Sequence, residues 1–194
     1  MAALLVLAGA CHGAPRTAPA SSDVQRRMYA ALLAELRRDG GTTTVVIDSL
    51  LPADGLDADV ASGLVGSLGI SSADVQALLR AQQGAGGRVS GTMLPDSSWR
   101  TVSLHTIDSL RTLARTRPRD TGTDGFWNQW QSAFPGSGGY VILSPAAFSA
   151  NGAVAIVHVR VACGATCGAS EVRVLRRDAA GRWQTARRVP VSIS

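Results

Sequence analysis

The chain has no lysine. Arginine supplies all nineteen basic positions against fourteen acidic residues, for a formal net charge of +5. Without lysine, the Gly-rich stretch Gln83 to Gly87 cannot end as a phosphate-binding loop does, in Lys-Ser/Thr, so no nucleotide role follows from it. With abundant Ala and Gly, the all-arginine usage fits GC-rich codon choice better than selected phosphate recognition. The pairs Arg26-Arg27, Arg37-Arg38, Arg176-Arg177 and Arg187-Arg188 are scattered along the chain. Nucleic-acid binders gather such charge on one face with a recognisable motif. None is visible here, so no nucleic-acid partner is expected. The charge reads as a solvated surface with weak affinity for anionic envelope components.

Glutamate is nearly absent, with only Glu35 and Glu171. That leaves no evident carboxylate pair for glycoside chemistry. Cysteine and histidine number three each. Zinc needs about four ligands at short spacing. The supply here is Cys163, Cys167 and the distant His105 and His158, so no metal and no cofactor are expected. The G-x-S-x-G turn of a serine hydrolase is missing. The nine aromatic residues are few, and seven of them lie between Phe126 and Trp183.

The longest apolar stretch opens the chain, MAALLVLAGA before Cys11. It falls short of the ~20 apolar residues that span a bilayer. It resembles the tail of a secretory signal without its positive n-region. Ala8-Gly9-Ala10-Cys11 resembles a lipoprotein box, with leucine displaced one position to Leu7. Ala8-x-Ala10 and Ala18-x-Ala20 also fit a plain signal-peptidase site. All three readings imply export to the periplasmic side of the cell envelope. Cys11 is the candidate for lipidation, which makes the membrane a partner through a lipid anchor. Residues 12–22, rich in Pro, Ala and Ser, suit a flexible tether, with His12 exposed and inert.

The remainder, 23–194, reads as a single α+β domain, helix-rich first and sheet-rich last. Ser22 to Arg38 carries a helical stripe of Val24, Met28, Ala31, Leu32 and Glu35/Leu36. Ser22 and Gln25 fit a capping box, arginines occupy its last turn, and Gly40-Gly41 ends it. Thr42 to Ile47 reads as a strand, and Leu50 to Leu56 as a turn. Asp57 to Leu68 and a segment capped by Ser71 or Ser72 have helical spacing. Arg88 to Leu94 and Trp99 to His105 read as strands around Pro95-Asp96. Ile107 to Ala114 is a short helix, and Thr116 to Gly125 a loop.

The most ordered stretch is Phe126 to Trp183. Phe126, Trp127, Trp130, Ala133 and Phe134 form one helical stripe closed by Pro135-Gly136. That helix is expected to cover an antiparallel meander of Val154 to Cys163, Ser170 to Arg177 and Arg182 to Arg188. Asn151-Gly152 is a turn dipeptide suited to positive φ. With one covered face, Val157 and Val159 should lie beside Val172 and Val174. That needs a pairing sum near 331, which sets Arg160 against Glu171, Ile156 against Leu175 and His158 beside Arg173. Cys163 and Cys167 then are not a simple cross-strand pair, so a bulge or wider turn should sit at the glycines.

Phe126, Trp127, Phe134, Pro135, Leu143, Ser144, Phe148, Gly152, Cys163, Gly164, Cys167, Gly168, Gly181 and Trp183 spell FW, FPG, LS, F, CGxxCG and GxW. The pattern covers about the last third of the chain and resembles an uncharacterised family of exported bacterial proteins. The resemblance implies an architecture and a compartment. It supplies no catalytic residues.

In an exported chain, Cys163 and Cys167 are expected to form a disulfide, which leaves Cys11 as the odd cysteine. The expected function is a non-enzymatic cell-envelope lipoprotein, a binding or structural module. Two alternatives stand beside it. One is an envelope hydrolase using His105 or His158, with Asp108 three residues after His105. The other is a C-x3-C thiol or metal protein, in which the sulfurs would stand apart and converge on His158.

Overall fold

The computed structural model describes residues 22–40, 45–51, 86–116 and 123–193, with residues 63, 72, 75, 76, 79, 80 and 82 between them. The expected signal segment, Cys11, the tether and most of the two helices expected between Asp57 and Leu79 lie outside the described residues.

The first helix, α1, is Ser22–Gly40. Met28, Tyr29, Leu32, Leu33 and Leu36 are its buried face. Their spacing, with neighbours one and four apart, is that of a single helical stripe. Asp23 sits in its first turn and Arg37 and Arg38 in its last, matching the helix dipole at both ends. Three short strands follow: β1, Val45–Ile47; β2, Ser49–Leu50; and β3, Gly87–Arg88. The strand expected over Arg88 to Leu94 is cut short, because Gly91–Met93 is a 3-10 turn. Next, β4 is Arg100–Val102, and helix α2 starts at Leu104 and runs to Thr116. His105, expected at a strand end, is therefore helical. Ser103 caps α2, its Oγ accepting from Thr106 N at 3.1 Å. Helix α3, Thr123–Ala133, precedes β5, Tyr140–Leu143, and β6, Ala147–Phe148. The last three strands are long: β7, Val154–Gly164; β8, Cys167–Arg177; and β9, Trp183–Ile193.

One seven-stranded sheet has the order β4-β1-β5-β7-β8-β9, with β6 beside β7. The meander is antiparallel as expected, but β1 pairs in parallel with both β4 and β5, so the sheet is mixed. The fold is α+β, helices towards the N-terminal side and strands towards the C-terminal side.

Both faces of the sheet are covered, and this overturns the expected register. On one face α1 packs with Val141, Leu143, Ala155, Val157, Val159, Leu175 and Trp183. On the other, Ile156, Val172 and Val174 meet Val75 and Leu79. Strands β7 and β8 pair at Ile156↔Val174, Val157↔Arg173, His158↔Val172 and Arg160↔Ser170, a sum of 330 rather than 331. Val172 and Val174 thus lie opposite Val157 and Val159, and Glu171 faces Val159, not Arg160. The expected parity assumed that all the valines needed one shared hydrocarbon face. A strand buried on both sides needs no such sharing and reads as a nearly unbroken apolar run, as VAIVHVRVA does.

The aromatic helix covers a different region from the one expected. Trp130 of α3 packs with Val45, Ile47, Val102, Ile107, Leu110 and Tyr140, under the parallel strands rather than the meander. The meander's helical cover on one face is α1. Trp130 touches Phe134 at 4.4 Å and Tyr140 at 5.0 Å between centroids. These are core contacts, as the stripe reading expected.

Candidate functional site

The two histidine candidates are separated by the fold. His105 is exposed near the start of α2. Asp108, three residues on, gives its carboxylate to Arg111 at 3.1 Å. No hydrogen bond or ion pair joins His105 to Asp108.

His158 is 2 % exposed, where a polar face had been expected. Its backbone is locked first. His158 N donates to Ser144 Oγ at 2.9 Å, and Ser144 N donates to the His158 carbonyl at 2.9 Å. Ser144 Oγ in turn donates to the Pro145 carbonyl. The Tyr29 hydroxyl of α1 donates to the Ser144 carbonyl at 2.8 Å, joining helix to sheet. Burial pushes the Tyr29 phenol well above its ordinary value, against hydrogen bonds with Gln25 and the Ala146 backbone. Tyr29 is therefore a fixed neutral donor. The ring of His158 points to the sheet's other face, where its Nε2 and Ser170 Oγ share a hydrogen bond of 2.6 Å. Ser170 is half-buried, directly across from Arg160.

A second cluster gathers both glutamates. The Arg173 side chain is 3 % exposed. It donates to Glu171 at 2.6 Å, to Glu35 at 3.0 Å and to Asp39 at 3.3 Å. Arg188 on β9 reaches Glu35 at 2.8 Å and Asp39 at 2.6 Å. Burial works against the charge on Arg188, but the Glu35 hydrogen bond and the charges of Asp39, Glu35 and Glu171 outweigh it and raise its pKa. Three carboxylates thus converge on two guanidiniums and tie the end of α1 to β8 and β9. Sequence reasoning saw the glutamates and missed the cluster. Two local signals were there: Glu35 and Asp39 are four apart on a helix, and Glu171 and Arg173 are two apart on a strand.

The cysteines meet as expected. Cys163 and Cys167 form a disulfide-distance pair, with Cα atoms 5.1 Å apart, within the usual range for a bridge. The β7–β8 register shifts between Ala162 and Gly164, so the bulge expected at this turn is present. It is present even though the parity used to argue for it was wrong. With the sulfurs joined to one another and His158 Nε2 engaged by Ser170, the cysteines and histidine do not converge. Among the described residues, no group of three or more His, Cys, Asp or Glu is placed to hold a metal ion.

A small cleft of about 90 Å³ lies where the parallel strands begin, lined by Val45, Ser98, Arg100 and the run Phe134 to Ser137. Ligand pockets are commonly several hundred Å³, so this one suits a side chain or a small anion. It contains neither candidate histidine. No helix among the described residues is long and apolar enough to cross a membrane. No family model, curated protein or solved structure matches the chain.

Proposed function

We propose that the chain is a non-enzymatic cell-envelope lipoprotein, anchored by lipid on Cys11, that serves as a binding or structural module. The observation that carries this reading is the Cys163–Cys167 pair. Paired cysteines belong to oxidising compartments, and their pairing leaves Cys11 as the odd thiol, inside a lipoprotein-box-like sequence. The resemblance to exported bacterial proteins points the same way. The ionic cluster supports a structural role for the charged residues, since every carboxylate in it already faces an arginine. Intact-mass analysis of protein from the native host tests the reading. The expected mature chain starts at Cys11 and carries lipid. An unmodified chain beginning at Met1 rejects export, and one beginning at Ser21 removes only the lipid.

One observation favours a second reading, an envelope hydrolase. His158 Nε2 lies 2.6 Å from Ser170 Oγ, the spacing of a base and its nucleophile. In that reading His158 takes the Ser170 proton as Oγ attacks an acyl carbon, then returns it to the leaving group. A fluorophosphonate probe tests it. Labelling of Ser170 in folded protein, abolished in Ser170→Ala and in His158→Gln, would establish the hydrolase. An unlabelled folded protein leaves the hydrogen bond as a structural tie.

A further inference from the structure

We propose that the Cys163–Cys167 disulfide is a redox-responsive joint that controls the shape of the cleft at residues 134–137. The proposal rests on the disulfide reading and goes beyond it. Gly139 has φ +142 and lies directly against the bulge. A Cβ at that position would stand 1.9 Å from the Ala162 carbonyl oxygen and 2.8 Å from Cys163 Cα. Nothing but glycine fits, and any movement of the bulge is passed to Gly139 by backbone contact.

Gly139 is coupled in turn to the cleft wall. Ser137 is buried, and its Oγ donates to the Gly139 carbonyl at 2.7 Å and accepts from Gly139 N at 3.3 Å. Gln131 Nε2 donates to the Ser137 carbonyl at 2.8 Å, and Ser137 N donates to the Phe134 carbonyl at 3.1 Å. Phe134, Pro135, Gly136 and Ser137 are the cleft wall facing Val45, Ser98 and Arg100. The chain of contacts from sulfur to cleft is therefore continuous and mostly backbone.

The sulfurs sit where a reductant can reach them, since Cys167 is exposed and Cys163 half-buried. The step is a thiol–disulfide exchange with a dithiol. The dithiol's thiolate attacks Cys167 Sγ and releases Cys163 as a thiolate. Its second thiol then resolves the mixed disulfide. Two electrons pass to the cysteines, both take up a proton, and the dithiol leaves as its own disulfide. Reduction frees the bulge, the 137–139 segment loses its backstop, and the cleft opens on its Phe134–Ser137 side.

Hydrogen exchange on the full, isotopically labelled chain tests the joint, before and after dithiothreitol. On reduction, amide exchange at Ser137, Gly139 and Tyr140 should speed up by roughly tenfold, while Gly181 and Arg182 at the β8–β9 turn stay unchanged. Changes confined to residues 161–169 would overturn the joint while leaving the disulfide intact. A denaturing thiol count before reductant separates the two failures. Any free thiol beyond that of Cys11 rejects the disulfide itself. Paired Cys163→Ser and Cys167→Ser substitutions should reproduce the reduced exchange pattern. If that variant does not fold, reduction of the wild-type protein remains decisive.

Discussion

Strand β8 presents two unlike faces to two unlike partners. Towards α1 it turns Glu171, Arg173 and Leu175, and the contact is built around a buried guanidinium and three carboxylates. Away from α1 it turns Val172 and Val174, packed on Ile156, Val75 and Leu79 with no charge between them. Alternate residues of one strand therefore meet ions on one side and hydrocarbon on the other. The aliphatic face loses only contact area and leaves a cavity when a side chain is cut back. The ionic face is different. Removing one partner strands the others, still partly buried, without their counter-charge. The ionic face thus fixes where α1 sits, and any break in it costs more than its net contribution to stability.

The largest effect is expected at Arg173. Arg173→Ala leaves Glu35, Asp39 and Glu171 with Arg188 alone. It should cost about 3–5 kcal/mol in chemical denaturation, the usual loss on breaking a buried ion pair. A loss under 1 kcal/mol, in the range of exposed pairs, would mean that solvent enters the cluster. The aliphatic face answers next. Val174→Ala should cost about 2 kcal/mol, from lost burial plus a small cavity, with no dependence on salt. Tyr29→Phe probes the seam between α1 and the sheet near His158. It removes one hydrogen bond and leaves the Ser144 carbonyl unpaired, for roughly 1–2 kcal/mol. A neutral result would show that another donor takes over.

Exposed charges sharpen the contrast by how little they do. Asp108→Asn breaks the Arg111 pair on α2 and should change stability by less than about 0.5 kcal/mol. The turn at Asp178 gives the smallest effect, read locally. Its carboxylate accepts from the Arg182 backbone N–H, which lowers its pKa below the ordinary 3.8 against a smaller opposing burial effect, with help from the Arg182 side chain. A depressed folded pKa contributes stability that is present above the ordinary aspartate value and is lost as pH falls through the folded value. The Arg182 amide resonance should therefore titrate with its midpoint below 3.8, the ordinary aspartate value. A midpoint at or above that value would contradict the bond.

Much of the fold was legible because it is local. The stripe Met28, Leu32, Leu36 predicts α1, and the run from Val154 onward predicts the three long strands. Cys163 with Cys167 reads as a pair. Each depends on neighbours within a few residues and on the helical or strand period. Short β1 and β4 gave weaker signals, since three residues cannot show a period, and their parallel pairing joins segments far apart in the chain.

Three matters were decided only by tertiary structure. Register depends on whether one face of β7 is covered or both, and alternation alone cannot distinguish these, because a buried histidine and a solvated one look alike in sequence. The partner of Arg173 was undecidable for the same reason of distance, Glu35 being 138 residues away. The third is the need for glycine at position 139. That need comes from a carbonyl on another strand, brought into contact by sheet pairing. Composition and local spacing determined the longer elements, α1 and the three long strands, and made Cys163 and Cys167 the candidate pair, while the strand expected over Arg88 to Leu94 gave way to a 3-10 turn. Packing determined which face each side chain meets, because a strand's alternation offers two faces and only its neighbours in space choose between them.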